Sequence, residues 1–370
     1  MVEDKNPEKI NGVEEEIIIG EEDFQEPYDV SSIRIDPMPM TVFEAMDRVK
    51  RGEINLQPDF QRELVWNIVQ QSRLIESILI KIPLPSFYLD ATNDDEWLVV
   101  DGLQRLNTLH SFINKEEFAL KHLEFLGSDV REKKFSHLSR KMQRRIETAQ
   151  LMLYIIKPDT PEDAKFTIFR RLNTGGQVLN AQEIRHCIYQ GKSTKLLKEL
   201  ASLEEFKRVT NSSIPSKRMV DRECALRFCA FYLTNYKEYK KADLDAFLGY
   251  TMKKINNMKD EEIELLKNAF KNAMFNSEVV FDKYAFRKIT EKNGRFNPVN
   301  KALFETWSVF LEKYPMNSLS EYRKRIVDSF IKVMNEDKVF VDSISQGTGD
   351  TKKVNIRFET VKNIIEEAIK

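Results

Sequence analysis

A chain of 370 residues has room for one large domain or two ordinary ones, with ample core. Its 58 Lys and Arg against 59 Asp and Glu leave a formal charge of −1. That balance excludes the global basic field that drives non-specific nucleic-acid binding and leaves only local patches. Cys187, Cys224 and Cys229 lack paired metal spacing and read as buried thiols, not as a disulfide framework. No apolar run approaches the length of a membrane span and no signal peptide heads the chain, so a cytoplasmic protein with no membrane partner is expected.

Residues 1–27 are acidic (Glu14, Glu15, Glu16, Glu21, Glu22, Asp23) and aperiodic, the pattern of a flexible arm, with Ile17-Ile18-Ile19 expected to dock locally. Order is expected from Ser32, with Ile33-Arg34-Ile35-Asp36 as a strand. Thr41-Val42-Phe43-Glu44 has the spacing of a capping box that opens a short helix. Gln57-Pro58-Asp59-Phe60-Gln61-Arg62 is a Pro-containing extended piece. After Trp66 comes an amphipathic helix with Ile68, Leu74, Ile75, Ile78 and Leu79 apolar, stopped by Ile82-Pro83-Leu84-Pro85. Phe87-Tyr88-Leu89 and Trp97-Leu98-Val99-Val100 flank Asn93-Asp94-Asp95 as a hairpin. The second strand ends abruptly in Asp101-Gly102 and enters a helix carrying Leu103, Leu106, Leu109, His110 and Ile113 at helical spacing.

Further along, Arg140-Lys141-Met142-Gln143-Arg144-Arg145 is the densest basic helix face, and residues 151–156 read as one more buried strand. Thr160-Pro161-Glu162 starts a helix, and Asn173-Thr174-Gly175-Gly176 ends it with the glycine a C-cap requires. Beyond residue 180 strand signals nearly vanish. Helices are predicted over 181–190, 194–201, 221–233, 243–255, 261–275, 298–312 and 321–334. A last one, 359–369, follows a Gly/Ser/Thr-rich loop around 345–351. The expected organisation is an arm (1–27), a compact α+β domain (28–180) and a mostly helical domain (181–370).

The strand–Gly–helix junction is the sharpest chemical feature. It offers backbone N–H groups, the positive end of a helix dipole, and no Cβ where a phosphate must approach. Gln104 and Arg105 add an amide and a fixed charge in the first turn. The plainer alternative is an Asp-Gly turn with a solvated Arg. Asp101 suits three roles: orienting a water, holding Mg2+, or capping the helix. Gln61-Arg62 fits either a second phosphate contact or a surface ion pair. The amide of Asn173 suits a base or phosphate facing the junction. Glu183 and Arg185 are either supports behind the site or an exposed pair. For nucleic acid, Arg140, Lys141, Arg144 and Arg145 lead, ahead of Lys217-Arg218 and the lysines of 237–241, with a solvated face as the plain alternative for each. Gly191-Lys192-Ser193 is no Walker A end, because His186 stands where its first Gly belongs. His110, His122, His137 and His186 are isolated and form no His–Asn–His or Cys–His constellation. On this reading Gly102→Val blocks phosphate and leaves the fold intact.

The order of these pieces carries a resemblance. Residues 57–109 resemble the ParB/sulfiredoxin-like nucleotide-binding fold, in which a Gly-x-x-Arg box after a strand holds phosphates. The closer resemblance is to the N-terminal domain of GmrSD-type modification-dependent restriction enzymes, marked by a DGQQR motif, here Asp101-Gly102-Leu103-Gln104-Arg105. Phe169-Arg170-Arg171-Leu172-Asn173-Thr174-Gly175-Gly176 with Leu179-Asn180-Ala181-Gln182-Glu183-Ile184-Arg185 is similar to that family's second motif, and residues 218–223 and 297–304 to its later helices. Leu103 departs from the pattern, since its apolar side chain removes the hydrogen bond of the motif's first Gln.

The resemblance implies an α+β protein with a ParB/sulfiredoxin-like N-terminal domain and a mostly helical C-terminal domain. It implies a nucleoside triphosphate ligand with Mg2+, and catalytic roles for Asp101, Gln104 and Arg105. Nucleotide contacts would come from Gln61, Arg62, Gly102 and Asn173. The expected role is regulation of DNA engagement, or of a partner nuclease, in a restriction or anti-phage system. Such enzymes usually carry a nuclease in a separate C-terminal domain, which this sequence is expected to lack. Two alternatives stand beside it: a non-catalytic ParB-like module for DNA or protein, and a nuclease whose carboxylate metal site no motif marks.

Overall fold

Pro37 and Pro39 would break a central strand, yet both lie inside β1 (Ile35–Thr41), which pairs antiparallel with β5 (Gln150–Ile156) along its whole length. They share one parity, so a strand at a sheet edge can turn both missing N–H groups away from its neighbour. This corrects the strand expected at 33–36, because the prolines extend an edge strand where they would end a central one. The sheet is mixed, in the order β1-β5-β3-β4-β2, with β2 at Ile54–Asn55, β3 at Phe87–Asp90 and β4 at Trp97–Asp101. β3 is parallel to β5 and antiparallel to β4, and β2 is parallel to β4. The two-residue β2 has too short a pattern to read from sequence.

The computed structural model describes residues 12–14, 32–56, 66–93, 95–127, 129–172, 179–292 and 295–370. The chain divides into two units, residues 25–188 and residues 189–370 with residues 1–24. The first is α+β. Its helices are α1 (Val42–Arg51), α2 (Ile68–Leu79), α3 (Leu103–Ile113), α4 (Arg140–Glu147), α5 (Glu162–Leu172) and α6 (Ala181–Ile188). The Thr41–Glu44 capping box forms as its spacing predicts, with the Glu44 N–H donating to Thr41 Oγ1 at 3.2 Å. Ile75, Ile78 and Leu79 of α2, Leu106 and Leu109 of α3, and Phe87, Leu89 and Leu153 of the sheet share one buried core.

Glu183 and Arg185 are buried, which removes the exposed-pair reading. Asn180 and Glu183 form a further reciprocal cap at the start of α6. The Glu183 N–H donates to Asn180 Oδ1 at 2.8 Å, and the Asn180 N–H to Glu183 Oε2 at 2.7 Å.

The second unit is helical. It comprises α7 (Lys192–Ser202), α8 (Glu204–Val209), α9 (Val220–Leu233), α10 (Leu244–Asn256), α11 (Asp260–Phe281), α12 (Lys301–Leu311), α13 (Met316–Glu336), α14 (Lys338–Ser343) and α15 (Thr351–Ile369). Every residue from Ala302 to Leu311 is buried, and α9, α11 and α15 pack against α12. The last helix begins eight residues earlier than the expected 359. Asp350 caps it, accepting the N–H of Lys352 at 2.8 Å, and Val354 and Phe358 already belong to the buried stripe that continues through Val361 and Ile365.

Of the acidic arm, Gly12 to Glu14 are described and docked; the Ile17-Ile18-Ile19 expectation lies outside the described residues. All three cysteines are buried and unbridged, and burial pushes their thiols up, Cys224 to about 12. No helix among the described residues is long and apolar enough to cross a membrane.

Candidate functional site

β4 ends at Asp101, and Gly102 turns the chain into α3 with φ +97°. An L side chain rarely adopts that angle, and a Cβ at Gly102 would overlap Phe87 Cδ1 and stand 3.1 Å from its Cε1. The glycine is therefore demanded by the turn and by Phe87 beneath it. This overturns the expectation that Val at this position would leave the fold intact. α1, α2 and α4 are each capped by a side chain (Thr41, Asn67 and Ser139), whereas α3 has no side-chain cap. Asp101 does not cap α3.

The Asp101 carboxylate faces Arg105 instead, with Oδ2 accepting from an Nη at 3.0 Å. The same guanidinium donates to the carbonyls of Pro85 and Ser86, the latter at 3.1 Å, and lies 4.4 Å over the Phe87 ring. Arg105 thus ties the first turn of α3 to the chain entering β3, and only 13% of its side chain is exposed against 30% for Asp101. Burial raises the Asp101 carboxyl above its ordinary value, and the Arg105 charge and the Gly102 N–H pull it only part of the way back. Burial likewise lowers Arg105, with Asp101 opposing.

Tyr88 stands opposite Asp101 across β3–β4 and opposite Tyr154 across β3–β5. The two tyrosine rings stack, with centroids 5.1 Å apart and planes 17° from parallel. Both are half-buried, so one row across three strands carries a carboxylate and an aromatic platform beside the α3 N-terminus. Sequence reasoning passed over these tyrosines. The available signal was their parity, Tyr88 between buried Phe87 and Leu89, and Tyr154 between buried Leu153 and Ile155.

Gln104 is half-buried in the first turn, and its carbonyl accepts from Thr108 Oγ1 at 2.8 Å. Leu103 packs against the core, so the departure from the DGQQR pattern is accommodated by burial. Asn107 of α3 donates to the Leu56 carbonyl at 3.3 Å, directly before the segment that holds Gln61 and Arg62. Gln61, Arg62 and Asn173 themselves lie outside the described residues. His110 is half-buried, its Nδ1 is 3.0 Å from Asn114 Nδ2, and burial lowers its pKa.

Arg140, Lys141, Arg144 and Arg145 are all exposed on α4. Arg140 pairs with Glu147 at 2.9 Å, and Arg145 donates to the Leu79 carbonyl at 2.9 Å. Among the described residues no three His, Cys, Asp or Glu side chains gather as a metal would need.

Residues 42–190 match the family model of the GmrSD restriction endonuclease, N-terminal domain. This segment is a GmrSD-type N-terminal domain. The match opens on the first residue of α1 and runs through α6, so the GmrSD-type domain takes in the Asp101–Arg105 junction and the Asn180–Glu183 cap. Residues 218–223 and 297–304 lie beyond it. No curated protein matches the chain.

Proposed function

We propose that the GmrSD-type domain binds a nucleoside triphosphate at the Asp101–Gly102–α3 junction and hydrolyses it. The system it serves would be a modification-dependent restriction or anti-phage system, with nucleotide state governing DNA engagement or a partner nuclease. The carrying observation is a helix N-terminus that no side chain caps, set directly beside a half-buried carboxylate. Backbone N–H groups there suit phosphate oxygens. Gln104 adds an amide, Tyr88 and Tyr154 offer a face on which a base can stack, and Arg62, Gln61 and Asn173 are assigned further contacts on the family resemblance. Arg105 acts chiefly by positioning Asp101, since the Pro85 and Ser86 carbonyls hold its guanidinium. Mg2+, which nucleotide sites hold through one or two carboxylates plus the phosphates, would find its protein ligand in Asp101. As the base in place of a metal ligand, a carboxyl raised by burial is better matched to accepting a proton from water than an ordinary Asp.

We assign the unit to the ParB/sulfiredoxin-like fold on its mixed sheet and on the position of this box at a strand end. The exposed Arg140, Lys141, Arg144 and Arg145 supply the surface proposed to meet DNA.

The test is titration of ATP, GTP and CTP against the full chain, with and without Mg2+ and DNA, followed by turnover of whichever binds. Asp101→Asn keeps an acceptor for Arg105, so binding is expected to survive while turnover falls about 10²-fold. Turnover of the unaltered protein should also fall as pH drops through the raised Asp101 value, because the protonated carboxyl no longer accepts a proton. Turnover in Asp101→Asn at the unaltered rate removes Asp101 from the chemistry. Tight binding with no hydrolysis under any condition favours the ParB-like binding module.

A separate prediction concerns the tyrosines. Tyr88→Ala is expected to weaken nucleotide binding by about 1–3 kcal/mol, the worth of one base–aromatic stack, and to leave inorganic triphosphate binding unchanged. Equal losses for both ligands, read by calorimetry, would assign Tyr88 to the fold alone.

A further inference from the structure

Residues 12–14 of the acidic arm lie on the helical unit as a short added strand. Val13 bridges Val299 in parallel, the Glu14 N–H donates to the Val299 carbonyl at 2.8 Å, and the Val299 N–H donates to the Gly12 carbonyl at 2.6 Å. Each of the three residues meets a different demand. Gly12 has φ +71°, and a Cβ there would overlap the Ser213 carbonyl oxygen. Val13 is buried. Glu14 divides its carboxylate, with Oε1 accepting from Lys288 Nζ at 2.6 Å and Oε2 from Asn300 Nδ2 at 3.0 Å.

The receiving groups are held by residues outside the arm. Lys288 Nζ also donates to Ser345 Oγ at 2.8 Å, and Asn300 Nδ2 to the Ile344 carbonyl at 2.7 Å. The other end of the Asn300 amide caps α12, accepting the Leu303 N–H at 2.8 Å. Arg287 pairs with Val299 on the side away from the arm. It is fixed in turn by the Thr210 carbonyl at 3.0 Å, Ser213 Oγ at 2.6 Å and the Phe296 ring at 3.9 Å. The groove is therefore built whether or not the arm fills it. Among the described residues the contact spans three positions, and its ion pair is partly exposed and so weakened by salt.

We propose that the groove formed by Arg287, Lys288, Val299 and Asn300 is a strand-addition peptide site for the sequence Gly-apolar-Glu. Its resident ligand is this chain's own Gly12-Val13-Glu14, a latch that can open and be replaced in trans. Main-chain pairing with Val299 supplies affinity, and the Gly, Val and Glu demands supply specificity. Tethering makes the arm its own strongest competitor, because a linked ligand acts at high effective concentration.

The experiment uses the full chain and a fluorescent peptide of residues 8–18. Hydrogen exchange is expected to show the Glu14 and Val299 amides protected in the unaltered protein and to speed at least tenfold in Gly12→Ala. The peptide is expected to bind Gly12→Ala at least tenfold more tightly than the unaltered chain, whose groove is occupied. Glu14→Arg serves as a second opened variant, and Lys288→Glu should abolish binding of the peptide. Combining Glu14→Lys with Lys288→Glu should restore protection. Circular dichroism verifies that each variant is folded. Unchanged protection of Glu14 and Val299 in folded Gly12→Ala and Glu14→Arg, or no peptide binding to either, overturns the proposal.

Discussion

Gly102→Val is expected to destabilise the GmrSD-type domain strongly, not merely to block a phosphate. The residue sits at φ +97°, where a β-branched side chain costs about 1–3 kcal/mol. Its Cβ would also collide with the fully buried Phe87 ring, and overpacking of that kind costs about another 1–3 kcal/mol. The sum, about 2–6 kcal/mol, is a large part of the 5–15 kcal/mol that holds an ordinary domain together. Urea unfolding followed through Trp66 and Trp97 fluorescence reads the loss. Gly102→Ala in a Phe87→Leu background relieves the collision and keeps the backbone cost, so it should recover part of the stability. A Gly102→Val protein with an unshifted midpoint would refute the account. The site itself is better probed at Asp101 and Tyr88, whose replacements leave the turn intact.

Glu305→Ala carries the second large effect, in the helical unit. Glu305 is fully buried on α12. Its Oε1 accepts from Arg357 Nε at 3.0 Å and from an Nη of the same guanidinium, and its Oε2 accepts from Arg227 at 3.4 Å. Arg227 has Glu223 as a second partner at 3.0 Å, and Lys301 reaches Glu223 at 2.9 Å. Arg357 otherwise has only carbonyls in contact among the bonds described, those of Ser343 at 3.3 Å and Thr348 at 2.7 Å. Removing the Glu305 carboxylate leaves a buried guanidinium without its counter-charge, a change that costs about 3–5 kcal/mol. Denaturant unfolding read through Trp307, two residues along α12, should show it. Replacing the pair together, Glu305→Leu with Arg357→Met, should recover much of the loss, because a well-packed apolar pair avoids the desolvation of both charges. A Glu305→Ala midpoint at the unaltered value, or a double variant no better than the single, would show that the network carries little of the stability.

Where local pattern sufficed, the sequence was legible. The Thr41–Glu44 box, the apolar positions of α2, the strand at 151–156 and the abrupt strand–Gly–helix turn at 101–103 all stand as their spacing predicts. Helix ends were less legible. Lys352, Lys353 and Asn355 masked the first turns of α15, and only the burial of Val354 and Phe358 reveals them. The site was half legible. Asp101, Gly102, Gln104 and Arg105 fall together, yet the partners of Arg105 are the Pro85 and Ser86 carbonyls, nearly twenty residues upstream, and no side-chain pattern marks a carbonyl.

Periodicity, caps and turn chemistry act within a few residues, so the sequence by itself determined most of the longer helices and strands and where the strand–Gly–helix junction lies, while the short β2, α8 and α14 escaped it. Tertiary structure alone decided the rest. The sheet order β1-β5-β3-β4-β2 joins β1 to β5 across more than a hundred residues, and the β3–β5 pairing sets the Tyr88–Tyr154 stack beside Asp101. The ring of Phe87 beneath Gly102 is what makes a glycine obligatory there. Val299, 286 residues beyond Val13, chose the place where the arm docks. Pairings of this kind depend on which surfaces the folded chain brings into register, and no rule spanning a few residues encodes that choice.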